Sequence, residues 1–389
     1  MSREAYIVAA ARTAVGRGKR GGLVNVRPED MARAAIEAAW ARAGDHERAL
    51  VDDIVLGCAF PEGSQGLNLA RSVALLSGFP SSVPAMTVNR FCASGLQTIA
   101  QSCERILAGG ADVIIAGGVE SMSLVPMTGF RISPHPGLVV DMPEAYVSMG
   151  QTAENVADKY EVTRLDMDAF AVESHARAAA AQRDGKFDDE IVPLTVRTVT
   201  SSGTAEAVFK VDELVRADTT LQALAALKPA FKPDGRVTAG NSSPLSDGAA
   251  AVVVMSGEAV KRLKCTPMLR FVAYDVAGVP PELMGIGPVE AVPKALRRAG
   301  LKLEAMDLIE LNEAFASQSL VVIRQLGLDP ARVNVNGGAI ALGHPLGCTG
   351  AKLTTQLAYE GRRRRVKYGM VTMCIGGGMG AAGIFEQLN

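Results

Sequence analysis

The chain has 389 residues, of which 48% are hydrophobic and 21% are charged, and it carries 40 glycines and a formal net charge of −1. This length suffices for two domains or one large two-part unit, and the composition is typical of a tightly packed α/β protein. The nearly balanced charge excludes a general attraction to nucleic acid or to an acidic membrane surface. No apolar run approaches the ~20 residues of a membrane span, so no membrane insertion is predicted.

The positions of the cysteines and histidines indicate the redox state of the thiols and whether a metal site is expected. The six cysteines show no CxxC pair and no regular framework, and the four histidines lack the spacing of metal ligands. Such cysteines are typical of reduced thiols, so we expect a cytoplasmic protein without a metal site. The first residues lead directly into a strand-like run and show no signal-peptide pattern.

In chain order, the first part alternates strands and helices. A basic, glycine-rich loop is predicted at residues 12–22, after the first strand. The run at 112–118 (DVIIAGG) is apolar throughout, which is typical of a strand buried on both faces. Further strands are predicted at 6–9 and 53–60, and helices at 29–43, 68–77 and 96–107.

From residue 120 the pattern becomes irregular and rich in proline and glycine. We interpret residues 121–246 as a loop domain inserted into the first half of the chain. Within it, helices are predicted at 152–160, 165–183 and 219–227, and a strand at 190–199. The run at 247–255 (DGAAAVVVM) returns to the character of a buried strand.

The C-terminal part repeats the plan of the N-terminal part. In both parts an Arg-Ala-Gly tripeptide precedes a strand that begins with aspartate, and Gly95 and Gly350 each stand near the start of a helix. The matching positions are separated by almost the same number of residues, which indicates a duplicated α/β unit. We therefore predict two halves, residues 1–265 and residues 266–389.

Cys92 lies in the stretch NRFCASG, at or just before the start of a helix. The unpaired N–H groups and the positive end of the helix dipole favour a thiolate there. A helix end supplies about 0.3–2 kcal/mol, whereas lowering the pKa by two units needs about 2.7 kcal/mol, so a second group must help. For an isolated cysteine, simple core packing is the alternative.

Three stretches of the second half supply candidate partners. Asn312 follows a strand in NEAF, His344 lies in the loop GHPLGC, and Cys374 opens the glycine-rich turn CIGGGMG. Backbone N–H groups in such a turn can point at an anion, although close packing also explains the glycines. Two cysteines, a histidine and an asparagine at strand ends are suited to acyl transfer through a thioester.

The chain resembles the thiolase family over essentially its full length. The matching stretches are VNRFCASGLQ, GGVESMS, MGQTAENVA, LKPAF, TAGNSSPLSDGAA, MGIGP, LNEAFASQ, GGAIALGHPLGCTGAK and CIGGGMGAA. The resemblance implies an α/β thiolase fold, with two duplicated βαβαβαββ halves in a five-layer α-β-α-β-α sandwich and an inserted loop domain.

By this resemblance, Cys92 is the nucleophile that carries the acyl group, and His344 is the base that takes its proton. Cys374 is the acid/base acting on the α-carbon of acetyl-CoA, and Asn312 positions a water. That water and His344 would bind the enolate oxygen, while the N–H groups of Cys92 and Gly376 would form a second oxyanion hole, worth about 3 kcal/mol for each donor.

The resemblance also implies coenzyme A as a substrate, with no permanently bound cofactor, lying over the loop domain. Ser243 and Phe231 match positions that contact the pantetheine and adenine parts, and Arg216 loosely matches a phosphate contact. Met149 and Met284 match methionines near the acyl pocket, where core packing is the alternative. Phe315 of the NEAF motif is counted among the CoA contacts.

The choice between the degradative and biosynthetic subtypes of thiolase depends on smaller differences in sequence. The stretch YDVAGVPPELMGIGP resembles degradative 3-ketoacyl-CoA thiolases, and Ser148 stands where biosynthetic acetoacetyl-CoA thiolases often carry histidine. Segment 121–147 also departs from the biosynthetic pattern. We expect an acetyl-CoA C-acyltransferase of fatty-acid β-oxidation that cleaves 3-ketoacyl-CoA by ping-pong chemistry, with acetyl-CoA C-acetyltransferase as the alternative.

Two other classes are disfavoured by the complete residue set. A ketoacyl synthase shares the fold but lacks a second catalytic cysteine, and a non-catalytic carrier of this fold loses parts of the set. The resemblance further implies a homodimer or a dimer of dimers, with acyl-CoA and CoA as small-molecule partners. A β-oxidation hydratase/dehydrogenase subunit is a further candidate partner.

Overall fold

The computed structural model describes residues 3–200 and 203–388. These residues form strands and helices in the alternation expected from the sequence. The strands are β1 (Ala5–Thr13), β2 (Gly16–Arg17), β3 (Asp53–Gly57), β4 (Ala85–Val88), β5 (Val113–Ser121), β6 (Ile191–Val192), β7 (Leu194–Thr200), β8 (Gly203–Phe209), β9 (Ser246–Ser256), β10 (Leu269–Gly278), β11 (Leu308–Leu311), β12 (Tyr368–Ile375) and β13 (Met379–Gln387).

Within the same residues, no helix is long and apolar enough to cross a membrane. The helices are α1 (Pro28–Arg42), α2 (Leu69–Leu76), α3 (Ser94–Leu107), α4 (Pro136–Asp141), α5 (Met149–Lys159), α6 (Arg164–Arg183), α7 (Leu221–Ala225), α8 (Gly257–Leu263), α9 (Gly287–Ala299), α10 (Ala316–Leu326), α11 (Ala339–Leu342) and α12 (Leu346–Arg364).

Local sequence sets several helix ends. Asn68 caps α2 by accepting a bond from a backbone N–H of the first turn, and Thr163 forms a capping box with Asp166 at the start of α6. These side chains satisfy N–H groups that have no partner inside the helix. Gly300 and Gly327 end α9 and α10 in the left-handed conformation, which glycine adopts at little cost.

Strand order shows the duplication directly. From the centre outward, one side of the main sheet runs β1-β9-β5-β3-β4 and the other runs β10-β13-β12-β11, with β1 and β10 paired in the middle. The directions match as well, since β3–β5 and β11–β12 are parallel while β5–β9 and β12–β13 are antiparallel. A parallel bridge between Ile309 and Val333 occupies the place of the β3–β4 pair. The predicted duplication is confirmed.

The hydrophobic core has three main layers of side chains. Residues of α1 and α2 pack on one face of the first half, and residues of α9 and α10 pack on one face of the second half. Between the two halves, α3 and α12 share one apolar cluster with strands of both. β5 contributes alternate residues to the inner and outer clusters and is buried throughout, as predicted. The five-layer α-β-α-β-α fold is therefore confirmed.

The two central helices meet at glycines. A Cβ atom at Gly95 would lie 2.7 Å from the Ala351 nitrogen, and one at Gly350 would lie 2.1 Å from the Leu96 nitrogen. Both contacts involve backbone atoms, which cannot move aside as a flexible side chain can. The duplicated glycines therefore allow α3 and α12 to pack backbone against backbone.

Two predictions near the chain start and at the Cys92 helix need correction. The loop at 12–22 was expected to begin with Arg12, but Arg12 lies in β1 and is fully buried between Asp212 and Glu190. An ion pair explains how a guanidinium can lie inside a strand. The helix after Cys92 begins at Ser94, two residues before the expected start.

Candidate active site

Cys92 lies in a single 3-10 turn, Phe91–Ala93, immediately before α3. The Ser94 hydroxyl accepts a bond from the Arg90 N–H at 2.9 Å and donates to the Phe91 carbonyl at 2.6 Å. Phe91 has a φ of 41°, a backbone conformation that is costly for an aromatic residue. The surrounding hydrogen bonds hold this strained turn, which fixes the direction of the Cys92 side chain.

The Cys92 thiol is completely buried. Burial raises its pKa to about 11, although the backbone N–H groups of Gly376 and of Cys92 itself act in the opposite direction. The expected preference for a thiolate is therefore outweighed by desolvation in the free protein. Cys92 rests as a thiol and needs a base to become a nucleophile.

Cys374 is the second buried thiol of the site and stands one residue before the end of β12. Burial raises its pKa, and the nearby charge of Cys92 raises it further. The following turn contains Gly377 and Gly378 at φ values of 80° and 81°, where glycine is strongly favoured. The Gly376 N–H, just before these glycines, lies near enough to the Cys92 sulfur to lower the pKa of that thiol.

His344 is held from both ring nitrogens. Its Nδ1 lies 2.5 Å from Oγ1 of Thr349, which donates to the Pro345 carbonyl at 2.9 Å. The proton is therefore assigned to Nδ1, and Nε2 accepts from Nδ2 of Asn312 at 3.2 Å. Burial lowers the pKa of His344 to about 3, with a contribution from Lys352, so the imidazole is neutral and can accept a proton.

Glu120 joins the two halves beside the cysteines. Its buried carboxylate accepts hydrogen bonds from the N–H groups of Ala59, Phe60 and Gly347 and from Nε2 of Gln65. Gly347 lies in the first turn of α12, three residues after His344, so the carboxylate fixes the start of α12 against the ends of the first-half strands. These four donors offset part of the desolvation of this buried acid, although burial still raises the pKa of Glu120.

Apolar side chains surround the cysteine pair. Met149 packs against the cluster that contains Cys92 and also against the cluster that contains Cys374. Met284 and Phe315 belong to the Cys374 cluster, and the rings of Phe315 and Phe231 meet edge to face with centroids 6.0 Å apart. These four predicted CoA or acyl contacts lie together on one side of the site.

The other two predicted CoA contacts lie next to a separate small cavity. Arg216 lines this cavity, and so do the residues on either side of Ser243. The Ser243 N–H donates a hydrogen bond to the Ala314 carbonyl at 3.0 Å. The cavity also reaches Ile340, a member of the Cys374 cluster. The structure therefore places Arg216 and Ser243 near each other, with Ile340 between this cavity and the Cys374 cluster.

Sequence analysis missed three buried polar residues that support the site: Glu120, Thr349 and Lys352. Glu120 stands in the matching stretch GGVESMS, and the other two stand in GGAIALGHPLGCTGAK, so the motifs marked them without giving a role. Lys352 is fully buried, and its Nζ has no hydrogen-bond partner among the described residues. In residues 3–200 and 203–388, no cluster of three or more His, Cys, Asp or Glu could hold a metal.

Family models and individual known proteins both show that the chain is similar to thiolases. Family models for "Thiolase, N-terminal domain" and "Thiolase, C-terminal domain" match residues 5–258 and 265–387. A "3-ketoacyl-CoA thiolase" of Bacillus subtilis (strain 168) is 56% identical, covering 99% of both chains, and an "Acetyl-CoA acetyltransferase" of Pseudomonas aeruginosa is 47% identical, covering 97% of this chain and 98% of the other. The crystal structure of human mitochondrial 3-ketoacyl-CoA thiolase superposes with a TM-score of 0.90 at 42% identity, covering 100% of this chain and 99% of that one.

The duplicated five-layer α/β fold, the two buried thiols and these relatives together indicate an acyltransferase. The chain belongs to the thiolase family.

Proposed function

We propose that the protein cleaves 3-ketoacyl-CoA with a second CoA, giving acetyl-CoA and an acyl-CoA shortened by two carbons. The observation that carries this proposal is the pairing of two buried thiols. Cys92 receives the Gly376 N–H, and Cys374 lies close enough to Cys92 for their charges to interact. One thiol can hold an acyl group, and the second can move a proton on the adjacent carbon.

In the first half-reaction, His344 accepts the Cys92 proton and the Cys92 sulfur attacks the 3-keto carbon. The bond between C2 and C3 breaks, and its electron pair forms the enolate of acetyl-CoA. Cys374 protonates the enolate carbon, so acetyl-CoA leaves and the acyl group stays on Cys92 as a thioester. The neutral state of His344 supports its role as the base.

In the second half-reaction, the thiol of a new CoA loses its proton to the Cys374 thiolate. The CoA sulfur attacks the thioester carbonyl, and the shortened acyl-CoA leaves. His344 returns its proton to the Cys92 sulfur, which restores the resting enzyme. Each half-reaction thus ends with one product released, which is the signature of ping-pong kinetics.

Two sets of donors support the oxygen atoms that become negative. The Gly376 N–H, which acts on the Cys92 sulfur, is the proposed donor to the oxyanion that forms on the substrate carbon attacked by Cys92. Asn312 is fully buried, and its Oδ1 has no hydrogen-bond partner among the described residues while its Nδ2 reaches His344. This supports the prediction that Asn312 positions a water for the enolate oxygen.

Some relatives are named 3-ketoacyl-CoA thiolase and others acetyl-CoA acetyltransferase. The degree of similarity to each group supports a choice between the two substrates. The B. subtilis protein named "3-ketoacyl-CoA thiolase" is 56% identical, against 47% for the P. aeruginosa protein named "Acetyl-CoA acetyltransferase". Ser148, which caps α5 beside Met149, replaces the histidine typical of biosynthetic enzymes. Both observations favour 3-ketoacyl-CoA over acetoacetyl-CoA as the main substrate.

The remaining predictions form part of this proposal. Coenzyme A enters as a substrate over the Phe231 and Phe315 rings, and the protein needs no resident cofactor. The chain functions as a homodimer or a dimer of dimers, and a β-oxidation hydratase/dehydrogenase subunit is its candidate partner. The loop domain at 121–246 and the halves at 1–265 and 266–389 remain the proposed division of the chain.

The two cysteine roles can be separated by experiment. Cys92→Ala should abolish both thiolysis and acyl transfer, because the thioester cannot form. Cys374→Ala should lose at least about a thousandfold in thiolysis yet still form the Cys92 thioester from decanoyl-CoA, though more slowly than the wild type, because the departing CoA thiolate can take its proton from water whereas the enolate carbon needs a positioned acid. Mass spectrometry of the acylated protein measures thioester formation. Full thiolysis by either variant would refute the mechanism.

A further inference from the structure

Cys265 differs from the other five cysteines of the chain. Those five are buried, with at most 1% of each residue exposed, whereas Cys265 is partly exposed in the link between α8 and β10. Cys265 also takes no part in the proposed thiolysis. Because a thiol must be reached before it can react, Cys265 is the cysteine that a small reagent in solution meets first.

The Cys265 thiol lies beside an imidazole. Its Sγ is 3.4 Å from Nε2 of His46 and 3.3 Å from the carbonyl oxygen of Ala43. The Trp40 indole N–H donates to the His46 carbonyl at 2.9 Å, and the two rings meet edge to face, so the imidazole is held in place. Burial raises the pKa of Cys265, so this thiol needs a neighbouring base to lose its proton.

A cavity of about 370 Å³, here called the Cys265 cleft, opens at this thiol. Its walls come from the end of α1, from the link between α8 and β10, and from the last turns of α12. Val8, Met268 and Tyr359 provide apolar surface in it. A cavity of this volume is large enough for a small organic molecule.

The Cys265 cleft is positively charged. Arg42, Lys264 and Arg362 line it, and no acidic side chain does. The two arginines that follow Arg362 both pair with Glu360, whereas none of the three cations of the cleft forms an ion pair within residues 3–200 and 203–388. Positive charges without a carboxylate partner attract an anionic ligand.

We propose that the Cys265 cleft binds small disulfides that carry carboxylates, and that Cys265 forms a mixed disulfide with them. The cations hold the carboxylates, and the thiol stands in the wall of the same cavity. This chemistry is independent of the proposed thiolysis, since neither Cys92 nor Cys374 takes part in it.

The reaction is a thiol–disulfide exchange in which the bound disulfide is the oxidant. His46 accepts the Cys265 proton, and the Cys265 sulfur attacks one sulfur of the ligand. The S–S bond of the ligand breaks as the new S–S bond to Cys265 forms. The other half of the ligand leaves as a thiol after it takes the proton from His46. A free thiol in excess reverses the modification by the same exchange.

The cations should favour an anionic disulfide and not a neutral one. An exposed pair of a cation and a carboxylate changes binding by up to about fivefold, so the loss of two cations should slow the reaction about tenfold. Oxidised glutathione is the anionic probe, because it carries carboxylates and a net negative charge. Bis(2-hydroxyethyl) disulfide is the neutral probe and gains nothing from the cations.

The test measures how fast each probe modifies the Cys265 peptide, by mass spectrometry of protein digests. The double variant Lys264→Gln/Arg362→Gln removes two cations of the cleft. The matched control is Arg262→Gln/Arg363→Gln, which removes the same charge from α8 and α12 at side chains that do not line the cleft. Circular dichroism checks that every variant is folded.

We expect the rate with oxidised glutathione, divided by the rate with the neutral disulfide, to fall about tenfold in the cleft variant and to stay at the wild-type value in the control. His46→Gln should slow both probes to a similar extent, because the thiol loses its base. A wild-type Cys265 peptide that neither probe modifies overturns the inference. So does an unchanged ratio in the cleft variant, or an equal fall in the control, which would reflect net charge alone.

Discussion

At the scale of single residues, the pH dependence of stability is set in part by two buried imidazoles. Burial lowers the pKa of His344 to about 3 and that of His175 to about 4, the latter with the neighbouring Arg216 charge acting in the same direction. Unfolding returns each ring to water, where its pKa is about 6.5. Below that pH the unfolded chain binds protons that the folded protein does not, so stability is lost as pH falls.

We therefore predict that each of these two histidines lowers the free energy of unfolding by at most about 1.4 kcal/mol per pH unit as pH falls from 7 towards 4, while buried carboxyls with raised pKa, such as Glu310, act in the opposite direction. His344→Gln should therefore lose less stability than the wild type between pH 7 and pH 4, because one proton no longer binds on unfolding. Urea denaturation at several pH values measures this change in stability. His135→Gln, at an exposed position, is the control and should change as the wild type does. Equal changes in all three proteins would contradict the prediction.

The candidate residues of the site could be singled out from the sequence because Cys92, Asn312 and Cys374 stand in short motifs at or just after strand ends, and His344 stands in a short motif between α11 and α12. Their supporting residues could not. Glu120 contacts Gly347 in the first turn of α12, 227 positions away, and no local pattern shows that a carboxylate and four donors will meet. The direction of the Cys92 pKa shift was also misjudged, since desolvation depends on burial that only the assembled halves provide.

At the scale of elements, the close crossing of α3 and α12 limits which side chains the two helices can carry where they meet. Gly350→Ala would bring a methyl group to 2.1 Å from the Leu96 nitrogen, and a helix backbone cannot yield cheaply. We predict destabilisation of about 3 kcal/mol or more, because overpacking against backbone forces the two helices apart. Thermal unfolding followed by circular dichroism measures the effect.

Gly257→Ala is the matched control for this crossing. Gly257 is also a helical glycine, but the nearest atom to its added methyl group is on the Tyr6 ring at 3.5 Å, an ordinary contact distance. We expect its melting temperature to remain close to that of the wild type. If both glycine variants melted at the same temperature as the wild type, the close packing of α3 and α12 would not limit stability.

Element type was predicted well where hydrophobic runs were long, as in β5 and β9. Boundaries were less accurate, because helix starts depend on local bonding. The bond from Ser94 to the Phe91 carbonyl lets α3 begin before the apolar pattern does. The strand position of Arg12 was missed because its partners Asp212 and Glu190 come from distant segments.

At the scale of the whole molecule, one edge of the main sheet is open. Among the described residues, β4 pairs with β3 on one side only, and Met86 on this strand is 40% exposed. Leu67 nearby in the chain is fully exposed and has a φ of 57°, which is costly for a leucine. An open edge with apolar side chains favours pairing with a second copy of the chain.

We therefore predict that the protein sediments as a homodimer or a larger even assembly, with the β4 edge in the interface. The double variant Leu67→Glu/Met86→Lys should weaken association at least tenfold, because it places charges in a contact that excludes water. Val208→Lys, at an exposed apolar position on β8, serves as the control and should sediment like the wild type. Association unaffected by the double variant would place the interface elsewhere.

The division of the site between the two halves has a consequence for synthesis on the ribosome. Cys92 and the inner face of α3 leave the ribosome well before His344 and Cys374 are made, a delay of roughly 15 to 60 seconds at ordinary elongation rates. During that time the inner face of α3 lacks its α12 partner, and the thiol lacks the Gly376 amide. The nascent chain therefore carries an uncovered cysteine on an apolar surface, which makes it a natural client for chaperones until the last hundred residues emerge.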